Sequence, residues 1–238
     1  MDTLCIASFL DTLQKWDADL LLTLNGQHAP FWDPFMYLYS DKMTWAFMYA
    51  VLVLVLLRNM GWKRFLLLAV FIALTITLAD QTSSSLIRHQ VARLRPANLE
   101  NPLSSLVHIV NGYRGGRYGF PSSHAANSFA LVAFLSLLFK RKGMTVYLVL
   151  WALLNCYSRI YLGVHYPGDI LVGSILGLLV GSFTYWLCRK AFTLVGWNCE
   201  VEVPLVWGSF PCLAWIATMA ALLAWSACQT FWLIPAAA

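Results

Sequence analysis

The stretch PSSHAANSFALVAFLSLLF, residues 121–139, decides what class of protein this is. Pro-Ser-Ser is a good helix start, since a serine oxygen can accept from the free backbone N–H groups of a first turn. From Ala125 to Phe139 the run carries no charge, and Lys140-Arg141-Lys142 closes it. Five more apolar stretches share the chain: Met43–Leu57, Phe65–Ala79, Met144–Tyr157, Ile170–Cys188 and a charge-free tail from Val203 to Ala238. Several cores reach only 14 or 15 residues, short of the roughly 20 that cross a bilayer. Flanking Trp, Tyr, Ser and Thr can supply the missing turns at the interface. One such run could be a buried helix of a soluble protein; six with so few charges between them could not. The expected fold is all-α, an integral membrane bundle of six transmembrane helices.

Composition agrees. Of 238 residues, 60% are hydrophobic and 11% charged, against about 25% charged in a soluble domain. Intrinsic disorder is excluded, because disordered chains are poor in apolar residues. The net charge of +5 does not imply a nucleic-acid partner, because the bases form no continuous face with interleaved aromatics. The six cysteines show no CxxC and no histidine at zinc spacing, so neither a disulfide framework nor a metal site is expected.

Residues 1–41 differ from the rest. Phe9, Leu10, Leu13, Trp16 and Leu20 share one helical face, among Asp11, Lys15, Asp17 and Asp19. Asn25-Gly26, Pro30 and Pro34 then break the pattern. This predicts an amphipathic helix at the membrane interface, a turn and a lead-in to the first span, although a plainly packed helix fits the pattern as well. Residues 42–238 are expected to form the membrane domain, with its chemistry between residues 80 and 188.

The connectors set the orientation. Arg58, Lys63, Arg64, Lys140, Arg141, Lys142, Arg189 and Lys190 fall on one side by helical parity. The connectors of the other side hold Arg88, Arg93, Arg95, Arg114, Arg117 and Arg159, with no lysine. Arginine without lysine suggests forked recognition of phosphate or carboxylate. The mixed Lys/Arg side is therefore expected to be cytoplasmic and the arginine side external.

Three segments on that external side carry the chemistry. In Arg88-x6-Arg95-Pro96, seven residues make two helical turns, so both guanidiniums share a face. They can clamp an anion or snorkel towards lipid phosphates. Pro121-Ser122-Ser123-His124 starts a helix whose N–H groups suit an oxyanion; capping alone would need the serines but not His124, whose pKa fits acid–base work. In Ser158-Arg159-x5-His165-x3-Asp169, the Tyr166-Pro167-Gly168 turn can bring Asp169 onto His165. Asp169 can also be simply the N-cap of the next helix, and the two roles are compatible.

Together the three segments resemble the type 2 phosphatidic acid phosphatase (PAP2) superfamily, with its Lys-x6-Arg-Pro, Pro-Ser-Gly-His and Ser-Arg-x5-His-x3-Asp boxes. The likeness runs from about Asp80 to Cys188. It departs at Arg88, where Lys is usual, and at Ser123, where Gly is usual. The resemblance implies that His165 attacks phosphorus to give a phosphohistidine while Asp169 orients its ring. It implies that His124 protonates the leaving oxygen. Arg88, Arg95, Arg159, Ser122 and the backbone around Ser123 and His124 would hold the phosphoryl oxygens. No metal and no other cofactor is implied. The long connector Ala97–Phe120, with Arg114 and Arg117 as candidate head-group contacts, is either a lid or a flexible loop. Asp80 is expected to be functional or to pair with an arginine, and Arg93 to be a surface charge.

The function this implies is a phosphatase of a cell-envelope lipid, either a lipid A phosphate or undecaprenyl diphosphate. Phosphatidylglycerol phosphate and phosphatidic acid are the alternatives. An anion transporter is more distant, because neither internal repeats nor broken mid-membrane helices are visible. The expected location is the bacterial inner membrane, multi-pass, with the site facing the periplasm or exterior. The expected partners are the lipid substrate and the bilayer, with no obligate protein partner.

Overall fold

The computed structural model describes residues 3–201 and 204–233, and within them each of the six apolar stretches is largely helical. In chain order the helices are α1 (Thr3–Asn25), α2 (Trp32–Tyr39), α3 (Ala46–Met60), α4 (Trp62–Gln81), α5 (Arg88–Val91), α6 (Ser123–Phe139), α7 (Lys142–Tyr161), α8 (Pro167–Leu194) and α9 (Leu205–Cys228). A π-helical turn, Thr82–Ile87, joins α4 to α5 in one continuous rod. Among the described residues the only strand-like pairing is an isolated bridge between Leu94 and Tyr118. The all-α membrane bundle stands.

The number of crossings is a separate matter. Four segments are long and apolar enough to span: Lys42–Met60, Trp62–Val91, Pro167–Leu194 and Gly208–Phe231. Helix α6 is apolar but has only 17 residues. Helix α7 carries buried Asn155, Ser158 and Arg159, which lower its apolar character. Length and composition therefore support four of the six expected spans. The chain is a multi-pass membrane protein.

Helix α6 is the interior element, packed against α4, α7 and α8. Its contact with α8 is unusually close. A Cβ added at Gly173, Gly177 or Gly181 would lie 2.2–2.4 Å from the carbonyl oxygens of Ser122, Ala126 or Ala130. Glycine every fourth residue lets two backbones touch, the small-residue packing of membrane helices. That contact brings the first turns of α6 and α8 together at one end of the bundle. Backbone confirms it there: Ser122 N donates to Asp169 O at 3.0 Å.

The amino-terminal helix packs on α7 and α8. Asn25 fixes its end, donating through Nδ2 to the carbonyls of Ile160 and Tyr161 and accepting at Oδ1 from His108 N. Leu21 is fully buried, whereas Leu10, Leu13, Trp16 and Leu20 are exposed. The apolar face read from the sequence is therefore the face that α1 turns away from the bundle; the side chain of Phe9 lies outside the described residues.

Candidate active site

The first box is placed by the π-helical turn. Inserting the wider turn rotates the last part of the rod, and such turns recur at functional sites. The rod ends at Ala92, whose left-handed backbone (φ 49°) stops the helix before Arg93. Arg88 then points at the start of α6: its Nη2 donates to Ser123 Oγ at 2.6 Å and to Pro121 O at 3.1 Å. Ser83 Oγ, within the π turn, donates to the same Ser123 Oγ at 2.9 Å.

Arg95 is buried and held on every side. Its Nε donates to Tyr118 O and its Nη1 to Val164 O, both at 3.1 Å. The same Nη1 lies 3.0 Å from His165 Nε2. A guanidinium can only donate, so Nε2 must carry the lone pair and the ring proton must sit on Nδ1. Nδ1 faces Asp169 Oδ2 at 3.4 Å. Nδ1 itself has no hydrogen-bond partner among the described residues, so the tautomer with its lone pair on Nε2 is selected from the Arg95 end of the ring. Burial, with Arg95, Arg159 and Arg88 adding their charges, holds the His165 pKa well below the usual imidazole range. His165 is neutral at physiological pH.

Asp169 is not the N-cap expected from the sequence: α8 starts three residues earlier, Tyr166 is its N-cap, and Asp169 stands in the first turn. Its Oδ2 accepts from Tyr166 N at 3.0 Å, closing the turn that leads into the helix, and faces His165 from the same spot. Gly119 makes room for this: a Cβ there would lie 3.1 Å from Asp169 Oδ2 and 3.2 Å from Arg95 Cγ. Arg159 is buried at the end of α7 and donates to Ser40 Oγ and, at 3.2 Å, to Tyr113 OH.

These groups surround one cavity of about 860 Å³. Arg88, Arg95, Arg159, Ser123, His124 and His165 all line it, so six of the residues chosen from sequence converge. Lys42 and Asp80 also line it, giving four bases against one carboxylate. The Nε groups of Arg88 and Arg159 are buried with no hydrogen-bond partner among the described residues. Burial and its two arginine neighbours pull the Arg95 pKa down to about 10, which still leaves it charged at neutral pH. Such crowded, partly unpaired guanidiniums suit an anion. Away from the basic end the wall turns apolar, through Trp45, Tyr49, Leu52, Leu56, Phe65 and Ile72.

Other choices from sequence land elsewhere. Ser122 is fully buried beneath the cavity, its hydroxyl accepting from Ala125 N as the helix cap. Arg114 donates to Ala97 O and Ser104 Oγ, and Arg117 pairs with exposed Glu100. Both organise the 97–120 connector and neither lines the cavity. Asp80 accepts from Asn127 at 3.3 Å. Ser40 and Tyr113, which hold Arg159, had no signal in the sequence, because their bonds span 119 and 46 residues. Arg93 is not a surface charge: it bridges Asp17 and Asp169 at 2.7 and 3.0 Å.

A helical membrane bundle with a basic cavity at one end, opening along an apolar groove, defines a protein that handles an amphipathic anion. The chain belongs to the PAP2 superfamily, whose family model matches residues 65–193. It is 50% identical to a lipid A 4'-phosphatase of Bacteroides thetaiotaomicron over 76% of this chain and 80% of that one. It is 38% identical to a lipid A 4'-phosphatase of Porphyromonas gingivalis, covering 74% of each. Among solved structures, Aquifex aeolicus LpxE shares the fold with a TM-score of 0.52, at 24% identity, over 70% of this chain and 92% of that one.

Proposed function

We propose that this PAP2 lipid phosphatase removes the 4'-phosphate of lipid A. One observation carries the reading: the cavity joins a cluster of buried guanidiniums to an apolar groove between α3 and α4. A lipid phosphate has both parts, and the relatives named above favour lipid A over the prenyl diphosphate.

In this mechanism Arg88, Arg95 and Arg159 take the phosphoryl oxygens, with Ser123 steadying Arg88. Arg95 slides from His165 Nε2 onto the phosphate and uncovers the lone pair. Nε2 attacks phosphorus in line, forming the P–N bond as the bond to the lipid oxygen breaks. Burial and the neighbouring arginines push the His124 pKa well below the usual imidazole range. The phosphate dianion offsets those charges, so His124 takes up a proton as substrate binds. It gives that proton to the lipid oxygen, then takes one from the water that cleaves the phosphohistidine and releases inorganic phosphate. Asp169 balances the charge that develops on the imidazole. Charge clamping supplies most of the rate in phosphoryl transfer, and the general acid adds about 10² to 10⁴.

The site faces the periplasm, with the arginine-only connectors outside and the mixed Lys/Arg connectors in the cytoplasm. Helix α1 lies on the membrane surface, where its exposed Leu10, Leu13, Trp16 and Leu20 enter the interface. The test is phosphate release by the detergent-purified chain from lipid A, undecaprenyl diphosphate, phosphatidylglycerol phosphate and phosphatidic acid. Preferred turnover of lipid A, with mass spectrometry locating the loss at the 4' position, is expected. Preference for any of the other three lipids would replace this substrate.

A further inference from the structure

The catalytic pair reaches further than the boxes that carry it. Asp169 is fully buried, and a buried carboxylate keeps its charge only when paired and hydrogen-bonded. Its partner is Arg93, whose Nη1 donates to Asp169 Oδ1 at 3.0 Å and to Asp17 Oδ2 at 2.7 Å. Arg93 is locked in place twice more. Its guanidinium stacks 3.7 Å from the Tyr166 ring centroid, and its carbonyl accepts from Gly119 N at 2.9 Å.

Asp17 comes from α1, far from the boxes in sequence. Its other oxygen, Oδ1, accepts from Gly168 N at 2.7 Å, in the first turn of α8. The fit is close: a Cβ at Gly168 would lie 2.7 Å from Asp17 Oδ2. One carboxylate therefore ties α1 both to Arg93 and to the backbone beside the catalytic turn.

We propose that Arg93 and Asp17 are positioning residues of the phosphatase site, with Asp17 on α1 holding Arg93 against Asp169 and Arg93 holding Asp169 beneath His165. The inference rests on the assignment of His165 and Asp169 given above. It makes the membrane-surface helix part of the catalytic unit. Neither residue lines the cavity, so neither touches substrate.

The pH profile separates positioning from mere support of the fold. The charged groups facing His165 are Arg95, Arg159 and Arg88 from the cavity, His124 from α6 and Asp169 behind it. Asp169 in turn faces Arg93 and, more distantly, Arg95. Taking away the Arg93 charge makes a proton on the His165–Asp169 pair less unfavourable, whichever member takes it. The acidic limb of kcat/KM must then move to higher pH.

The experiment measures kcat, KM and the pH profile of the full chain in mixed micelles for Arg93→Gln, Arg93→Lys, Asp17→Asn and the Arg93→Gln/Asp17→Asn double variant. Arg93→Gln should lower kcat by about 10- to 100-fold with KM little changed, and raise the acidic limb by about one pH unit. Arg93→Lys should restore the limb. Asp17→Asn should lower kcat by about 3- to 10-fold and add nothing in the Arg93→Gln background, because it acts through Arg93. An unmoved limb in Arg93→Gln, or a loss confined to KM, overturns the proposal. If Arg93→Gln does not fold, Asp17→Asn decides by its kcat, and an unchanged value overturns it. His165→Ala runs alongside: residual turnover there removes the nucleophile assignment itself, whereas an inactive His165→Ala with an unmoved Arg93→Gln limb removes only the positioning role.

Discussion

The two sides of the cavity are built in opposite ways. On one side α6 and α8 touch backbone to backbone through Gly173, Gly177 and Gly181. On the other, apolar side chains of α3 and α4, among them Tyr49, Leu52, Leu56, Phe65 and Ile72, line the groove. The first side carries His124, His165 and Asp169 close to adjoining helix starts, where, in the proposed mechanism, a displacement of an ångström would cost much of the rate. The second side must admit a chain of variable shape, for which loose apolar walls suffice. In the proposed mechanism, close packing falls where bonds change and apolar walls where lipid enters.

The largest effect that could break this contrast is at the nucleophile. His165→Ala should lower phosphate release by about 10⁴-fold or more, while membrane insertion and the thermal unfolding midpoint stay close to wild type. Activity retained within tenfold would mean that the tight side is not the chemical one.

Next comes a pair of bulky substitutions, one on each side. Gly177→Leu places its Cβ about where the Ala126 carbonyl lies, 2.3 Å away, so the helices must separate. It should cost about 1–3 kcal/mol of stability or more and lower turnover of lipid and soluble substrates alike. Ala73→Phe in the groove should leave stability and the hydrolysis of p-nitrophenyl phosphate alone. Its effect should be a rise of about tenfold in KM for long-chain lipid phosphate, equivalent to losing roughly two buried methylenes. Equal behaviour of the two variants towards the two substrates would erase the distinction.

Much of the tight side was legible in the sequence. The i, i+4 spacing of His165 and Asp169 is local, and it brings Asp169 Oδ2 within 3.4 Å of His165 Nδ1. The helix start at Ser123 was equally plain from its serines, whereas α8 begins at Pro167, inside the segment read as a turn. The Gly173-x3-Gly177-x3-Gly181 series was also open to inspection, and it is the signal that would have paired α6 with α8. What stayed hidden was long-range. Arg93 looks like any basic residue after a helix until Asp17, 76 positions away, is seen against it. Ser122 looked like a phosphate ligand because a cap and an oxyanion hole draw on the same residue type. The π-helical turn at Thr82–Ile87 left no mark in the apolar periodicity, so the aim of Arg88 had to be seen. Four of the six expected spans meet the length and hydropathy of a crossing helix. Helix α6 is mostly buried against its neighbours, and an interior helix need not match the bilayer in length.

The smallest expected effect sharpens how the open side meets the tight one. Arg88 and Ser123 are the two departures from the usual family pattern, and they are bonded to each other at 2.6 Å. A charged hydrogen bond of this kind is worth about 1.5–3 kcal/mol. Arg88→Lys and Ser123→Gly should each lower kcat/KM by a few-fold, on the order of 1 kcal/mol. The double variant should recover part of the loss, since it recreates the usual pair. Strictly additive losses would show that the two departures arose without regard to each other.

The central claim is that His165 carries the phosphoryl group in the course of turnover. The direct measurement is a rapid quench during hydrolysis of phosphate-labelled lipid A, with the label located by peptide mass spectrometry. The account predicts an acid-labile, base-stable label on His165 that disappears when substrate is exhausted, and that persists longer when His124 is replaced by Ala. Steady turnover with the label on another residue, or with no covalent label under conditions that preserve phosphohistidine, would contradict it.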